Sequence, residues 1–462
     1  MEAVTMREIY ARARRAFEII EFWPQDRVDE MVAAVGWELQ KDTVAREVVQ
    51  LAMEAGLGVF EDKVAKQKNK VRGALWDMRD AKTCGVVEVD SLRGITKVAK
   101  PIGVVANIVP STNPTATPSF LGLCLLKTRN AMIVSPHPAT WRSTHRIVEY
   151  GRKALERIGA PVDLFQCIAE PTHAAAAELM AACDFTIATG GAALHRIAYA
   201  AGKPAHTVGA GNVVAIVDET VDVAEVAKKL ARSKTFDNSS GCSMENAVAV
   251  HEAVYEGLVA ALRAEGGHLC TTDERERLRR TLWPDGRALN REIVARSARQ
   301  IATLAGLSVP ETTRFLMAIG ERIGPEDRFS GEKVSPVLTI WSWTDFDEIL
   351  ARVARILKFS GEGHSAAIHS VCKERALEVA LRLNVGRVSY NLPHAFTNSG
   401  GWASGQPVTV SLGGGTWAGN MTSDNINWRH FLNYTWLASP IAEYVPSDEE
   451  LFGDYLRKWG RD

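Results

Sequence analysis

Seven cysteines stand at positions 84, 124, 167, 183, 242, 270 and 372, and one of them has a setting suited to chemistry. Cys242 lies in KTFDNSSGCSMENAVAVHE, after a polar loop containing glycine and before an apolar run that predicts a buried strand. A thiol at such a loop is accessible, and nearby backbone N–H groups can stabilise a thiolate or an oxyanion. The ordinary alternative is a buried thiol packed as a small hydrophobe. The odd count, without CxxC pairs or the histidine spacing of a zinc site, predicts reduced thiols and no metal centre.

The elements that position this loop are legible in outline. The chain has 462 residues, 46% hydrophobic and 24% charged, which predicts a globular protein of two or three domains. With 54 Lys+Arg against 55 Asp+Glu, and no long basic stripe, nucleic acid is not an expected partner. No apolar run is long enough for a membrane span, and the N-terminus lacks the features of a signal peptide, so a cytoplasmic protein with no membrane partner is expected.

Residues 1 to about 75 read as helices, with Val28, Met31, Val32, Val35 and Leu39 at helical spacing and Asp42 as a cap for the next helix. Residues 84–100 read as a projecting hairpin around Ser-Leu-Arg-Gly. The strands GVVANIV, AMIVSP, LFQCIA, FTIATG and NVVAIVD then alternate with helical stretches, which predicts a parallel, doubly wound Rossmann-type sheet. The domain expectation is therefore 1–230 for the helical layer and the nucleotide domain, 231–420 for an α/β catalytic domain carrying Cys242, and 421–462 for a tail packing on the cofactor domain or a neighbouring subunit.

Nine blocks in one order carry a resemblance. They are EDKVAKQK, KTCGVVEVD, PIGVVANIVPSTNPTAT, LKTRNAMIVSPHP, ATGGAAL, VGAGNVVAIVDET, KTFDNSSGCSMEN, EKVSPVL and GEGHSAAIHS. From about residue 5 to 430 the chain resembles the CoA-acylating branch of the aldehyde dehydrogenase superfamily. The resemblance implies an aldehyde dehydrogenase-like α/β fold and NAD or NADP as cofactor. It also implies a small aldehyde and coenzyme A as substrates, and a homodimer or homotetramer joined through hairpins like 84–100.

It further implies that Cys242 attacks the aldehyde, with its own N–H and the amide of Asn113 holding the oxyanion; hydride then leaves for the nicotinamide, and CoA thiol releases the acyl group. His364 in GEGHS takes a role in thiol activation or substrate positioning. Thr189, Gly190 and Gly191 resemble a pyrophosphate turn at a helix N-terminus. Gly209 and Gly211 fall near the nicotinamide, Glu332 on its ribose, and Pro136 and His137 near the adenosine ribose. Arg142 is placed to meet a 2′-phosphate or to be solvated.

Hydrolytic relatives carry a glutamate in ELGGK, where it activates water. Here VGAGN puts Val208 at that position, and valine cannot act as a base, which favours CoA. A hydrolytic enzyme and a non-catalytic nucleotide-binding relative are the alternatives. The C-terminal stretch resembles that of acylating sulfoacetaldehyde dehydrogenases, with acetaldehyde or propionaldehyde as the other expected substrates. Arg429, His430, His394 and Asn398 are polar residues that could serve a sulfonate.

Overall fold

The computed structural model describes residues 5–460; residues 1–4 and 461–462, at the outer ends of the predicted first region and of the tail, lie outside the described residues. Four helices open the chain: α1 (Met6–Ile20), α2 (Gln25–Gln40), α3 (Asp42–Met53) and α4 (Phe60–Met78). The helical spacing read from sequence is the buried face of α2, where Val28, Met31, Val32, Val35 and Leu39 all enter the core. Asp42 does not cap α3 but is its first residue, with its carboxylate 2.9 Å from both Arg46 and Lys68.

A hairpin of β1 (Gly85–Asp90) and β2 (Ile95–Pro101) follows, as predicted. The first parallel sheet contains β3 (Val104–Ile108), β4 (Ala131–Ser135), β5 (Phe165–Cys167), β6 (Phe185–Thr189) and β7 (Ala205–Val208), in the order β5-β4-β3-β6-β7. Its helices are α5 (Ala116–Lys127), α6 (Trp141–Arg157), α7 (His173–Ala182) and α8 (Ala192–Ala200). The strand order reverses between β3 and β6. In doubly wound sheets the ligand crevice opens at such a switch, beyond the carboxyl ends of the strands. Asn113 lies beyond β3, and Thr189–Gly191 lie at the end of β6.

The second sheet contains β8 (Val213–Val217), β9 (Glu245–His251), β10 (Gly267–Leu269), β11 (Phe315–Ile319), β12 (Val337–Trp343), β13 (Ala366–His369) and β14 (Val388–Tyr390), all parallel, in the order β10-β11-β12-β9-β8-β13-β14. Alternate residues of β8 and β9 enter separate cores, Val214, Ile216, Ala247 and Ala249 on one face, and Ala215, Val217, Val248 and Val250 on the other. The strand NVVAIVD, read as part of the nucleotide domain, is therefore an inner strand of the second sheet, and the chain crosses over at 209–212 rather than at 230. A wholly apolar strand reads alike in either sheet, and only its long-range pairing assigns it.

Helix α9 (Val223–Thr235) returns the chain to the 236–242 loop ahead of β9. The last region goes back to the first domain, where Val408, Ile426 and Phe431 join its core. Strand β15 (Leu432–Ala438) then pairs with the full length of β2, making the hairpin three-stranded. No helix among the described residues is long and apolar enough to cross a membrane.

Candidate active site

Cys242 is half-buried on the loop between α9 and β9. Asp237, Asn238 and Ser239, just before it, all have positive φ, at 51°, 50° and 55°. Three successive left-handed non-glycine residues cost of order 1–3 kcal/mol each, so the surroundings must over-determine them. The Asp237 carboxylate supplies most of that restraint. It accepts from Val59 N at 2.8 Å, Lys63 Nζ at 3.0 Å, Lys66 Nζ at 2.6 Å and Ser240 Oγ at 2.5 Å. The Asp237 N–H in turn donates to Asp62 Oδ2 at 2.8 Å, and Asn238 Nδ2 to the Gly58 carbonyl at 3.2 Å. Burial alone would raise the Asp237 pKa, but Lys66 and Lys63 hold it below the ordinary carboxylate value. Burial pushes Lys63 itself down to about 8.

Lys66 links this loop to Asn113. Its Nζ donates to Asn113 Oδ1 at 2.9 Å, as well as to Asp237. An ammonium group only donates, so the atom of Asn113 facing it is the oxygen, and the amide nitrogen is left to donate elsewhere. Neither Lys66 nor Asp237 was singled out in the sequence. The block EDKVAKQK was legible as a motif, but its partner lies 171 positions away.

On the other side of the thiol, Glu332 Oε1 accepts from Gly211 N at 2.9 Å, and Asn246 links the Gly211 carbonyl, at 3.0 Å, to Lys333 N, at 2.9 Å. Gly211 is required sterically, because a Cβ there would stand 2.7 Å from Cys242 Cβ and clash with the Cys242 carbonyl. Burial and the neighbouring Glu332 push the Cys242 thiol up to about 11, with Arg387 opposing them. Burial likewise raises the Glu332 carboxyl to about 7, against the Gly211 N–H and Lys333.

His364 is buried, with Nδ1 2.7 Å from Ser365 Oγ and Nε2 without a partner among the described residues. Burial, with Arg387 and His394 nearby, drives its pKa well below the ordinary histidine value, so the ring is neutral. Asn398 Nδ2 bridges Ser365 Oγ at 3.2 Å and Ser243 Oγ at 3.3 Å, which ties His364 to the residue following Cys242. Arg387 Nη1 donates to the His364 carbonyl at 3.0 Å. Nothing in NVGRVSY marked Arg387 beforehand, since its partners are backbone carbonyls of distant segments.

Of the four residues considered for a sulfonate, His394 and Asn398 adjoin Ser243, His394 Nδ1 lying 2.7 Å from the Ser243 carbonyl. Arg429 instead lies over the Trp428 ring, and His430 faces Asp424 at 3.4 Å, at the base of β15. Those two are structural neighbours of the tail and are not brought to Cys242.

The other candidates lie along the crevice. Thr189 Oγ1 is buried at the end of β6 without a hydrogen-bond partner among the described residues. Gly191 is the N-cap of α8, which no side chain among the described residues caps. An unpartnered hydroxyl beside an open helix start suits a phosphate oxygen. Gly209 packs against His195, whose Nε2 is 2.8 Å from the Val208 carbonyl, and Val208 is buried. Pro136 is buried at the end of β4; His137 is exposed and caps the turn Pro138–Thr140. Arg142 near the start of α6 is held by Glu54 at 2.8 Å, an exposed ion pair that would have to open to admit a 2′-phosphate.

Comparison with known proteins agrees with this geometry. The model of the aldehyde dehydrogenase family matches residues 2–278. The chain is 39% identical to the sulfoacetaldehyde dehydrogenase (acylating) of Bilophila wadsworthia, over 99% of this chain and 100% of that one. It is 36% identical to the succinate-semialdehyde dehydrogenase (acetylating) of Clostridium kluyveri, over 97% and 99%. An acetylating aldehyde dehydrogenase from Geobacillus thermoglucosidasius superposes with a TM-score of 0.91 at 32% identity, covering 96% of this chain and 98% of that one. A strained cysteine loop between two parallel sheets, matched over nearly the whole chain by these relatives, means that the chain belongs to the aldehyde dehydrogenase family, in its CoA-acylating branch.

Proposed function

We propose that the chain converts an aldehyde, CoA and NAD(P)+ into acyl-CoA, NAD(P)H and a proton through a thioester on Cys242, and that its aldehyde is sulfoacetaldehyde. The observation that carries the mechanism is the Lys66 bridge, which ties Asn113 to the cysteine loop through its amide oxygen and leaves the amide nitrogen to donate. The full-length similarity to an acylating sulfoacetaldehyde dehydrogenase supports the choice of substrate.

Cys242 Sγ releases its proton to water and bonds to the carbonyl carbon, while the Asn113 Nδ2 and the Cys242 N–H receive the oxyanion. The dinucleotide fits Thr189, the start of α8 and Glu332, and when bound it supplies the hydride acceptor. The thioester left on Cys242 is attacked by the CoA sulfur, and the Cys242 thiolate departs. His364, neutral and with a free Nε2, takes the CoA thiol proton. The buried Val208 offers no base for water.

Glu332 supports a second, hydrolytic reading, because its carboxyl titrates near 7 and its charge acts on Cys242. One assay separates the two: NAD(P)H formation at 340 nm with sulfoacetaldehyde, with and without CoA, with Cys242→Ala as control. Turnover that requires both CoA and Cys242 supports the acylating route; turnover indifferent to CoA overturns it in favour of Glu332 and water.

We also infer a cytoplasmic enzyme, which the seven unpaired thiols support, and a homo-oligomer. Exposed Val86 and Val89 on the hairpin share one face of this sheet with Leu437 on β15, and together they form an apolar surface suited to a second copy.

A further inference from the structure

Apart from the crevice that suits the dinucleotide, a cavity of 400 Å³ opens beside the cysteine loop. Its walls come from α4 (Lys66, Asn69, Lys70), from Arg232 and Phe236 at the end of α9, and from the segment 393–408. None of the residues assigned to the cofactor lines it, and it meets the cysteine loop through Lys66, which bonds both Asn113 and Asp237.

The lining is cationic. Lys66, Lys70 and Arg232 contribute three positive groups, and no Asp or Glu is among the lining residues. Lys66 is paired with Asp237, a carboxylate it shares with Lys63. Lys70 Nζ instead donates to the carbonyl and the hydroxyl of Ser399, both at 2.8 Å, and has no carboxylate partner among the described residues. Asp77 is the nearby acid, and its Oδ2 accepts from Val408 N. Arg232 has no ion-pair partner among the described residues either, and lies over the Phe396 ring at 4.4 Å. Phe396 and Phe236 pack together at 4.7 Å and give the cavity an apolar wall. Burial pushes Lys70 down to about 7, with Lys66 adding to the fall and the Cys242 thiolate among the charges opposing it. A half-buried ammonium without a counter-ion, held by Ser399 next to the Asn398 that bonds Ser243, is poised to gain from an anion.

Resting on the acylating reading above, we propose that Lys70 is the specificity residue that binds an anionic group, sulfonate or carboxylate, at the remote end of the aldehyde, with Arg232 attracting it at the mouth. A two-carbon aldehyde carries its anion only a few ångströms from the carbonyl. The inner cation must therefore do the recognising, and Phe236 and Phe396 face the methylene.

The test compares kcat/KM for sulfoacetaldehyde, succinate semialdehyde and propionaldehyde in the full-length protein and in Lys70→Met and Lys70→Arg. Lys70→Met is expected to lower the ratio of anionic to neutral aldehyde about tenfold or more, and Lys70→Arg to recover most of it. The two anions, run side by side, show whether sulfonate or carboxylate is the better fit. In the unmodified protein, ethanesulfonate is expected to compete with the aldehyde and to slow alkylation of Cys242. A ratio unmoved by Lys70→Met, or ethanesulfonate that neither competes nor protects, overturns the proposal. CoA-independent turnover would instead overturn the acylating reading, and it would leave these ratios still measurable.

Discussion

Lys66 Nζ lies 2.9 Å from Asn113 Oδ1 and 2.6 Å from Asp237 Oδ2, so one ammonium orients the proposed oxyanion donor and anchors the loop that carries the nucleophile. Replacing it by methionine keeps the stem but frees the Asn113 amide to rotate. Lys66→Met is expected to reduce kcat by about 10²-fold, the scale of a lost oxyanion donor. Iodoacetamide should still alkylate Cys242 in the variant, and an unchanged kcat would mean that something else orients the amide.

Glu332 should govern the reactivity of the resting thiol. Its negative charge is the second cause, after burial, of the Cys242 pKa of about 11. Removing that charge favours the thiolate, so Glu332→Gln should shift the pH profile of Cys242 alkylation towards lower pH. The same variant should bind the dinucleotide less tightly. A profile shifted upwards, or not at all, would contradict the charge coupling.

His364 is expected to serve the second half-reaction more than the first. With a neutral ring and a free Nε2, His364→Ala should retain a burst of NAD(P)H of about one equivalent per site while the steady-state rate with CoA falls by about 10²-fold. Rapid-mixing absorbance at 340 nm would separate the phases. Loss of the burst itself would place His364 in the oxidation step.

Asp237 holds the buried Lys63, the partly buried Lys66 and a strained loop, and its folded pKa is depressed. Its contribution to stability is therefore present above the ordinary carboxylate range and is lost as pH falls through the depressed value. Asp237→Asn should cost about 3–5 kcal/mol, because it strands buried positive charge. Thermal melts at neutral pH would read this as a clear fall in Tm. A small change would show that Asp62 and water can take over.

Cys242 stood out for its polar, glycine-containing loop before an apolar run, whereas Asn113, Glu332 and His364 were singled out only because their blocks resemble those of the CoA-acylating family. The parallel architecture was equally legible, since continuously apolar strands alternating with helices leave few arrangements. The sheet membership of Val213–Val217 was not, because its five apolar residues satisfy either sheet equally. Asp42 misled for a related reason, as a carboxylate at a helix start suits both the cap and the first turn.

What the sequence determined by itself was the chemistry on offer and the class of fold, because both depend on side-chain type and on periods of a few residues. What only the tertiary structure decided was how those groups are poised. Lys66 meets Asp237 across 171 positions, Asn398 joins Ser243 across 155, and Lys70 comes to line a cavity with Arg232. Charge states and orientations of this kind arise from burial and from partners far along the chain, and no local spacing records them.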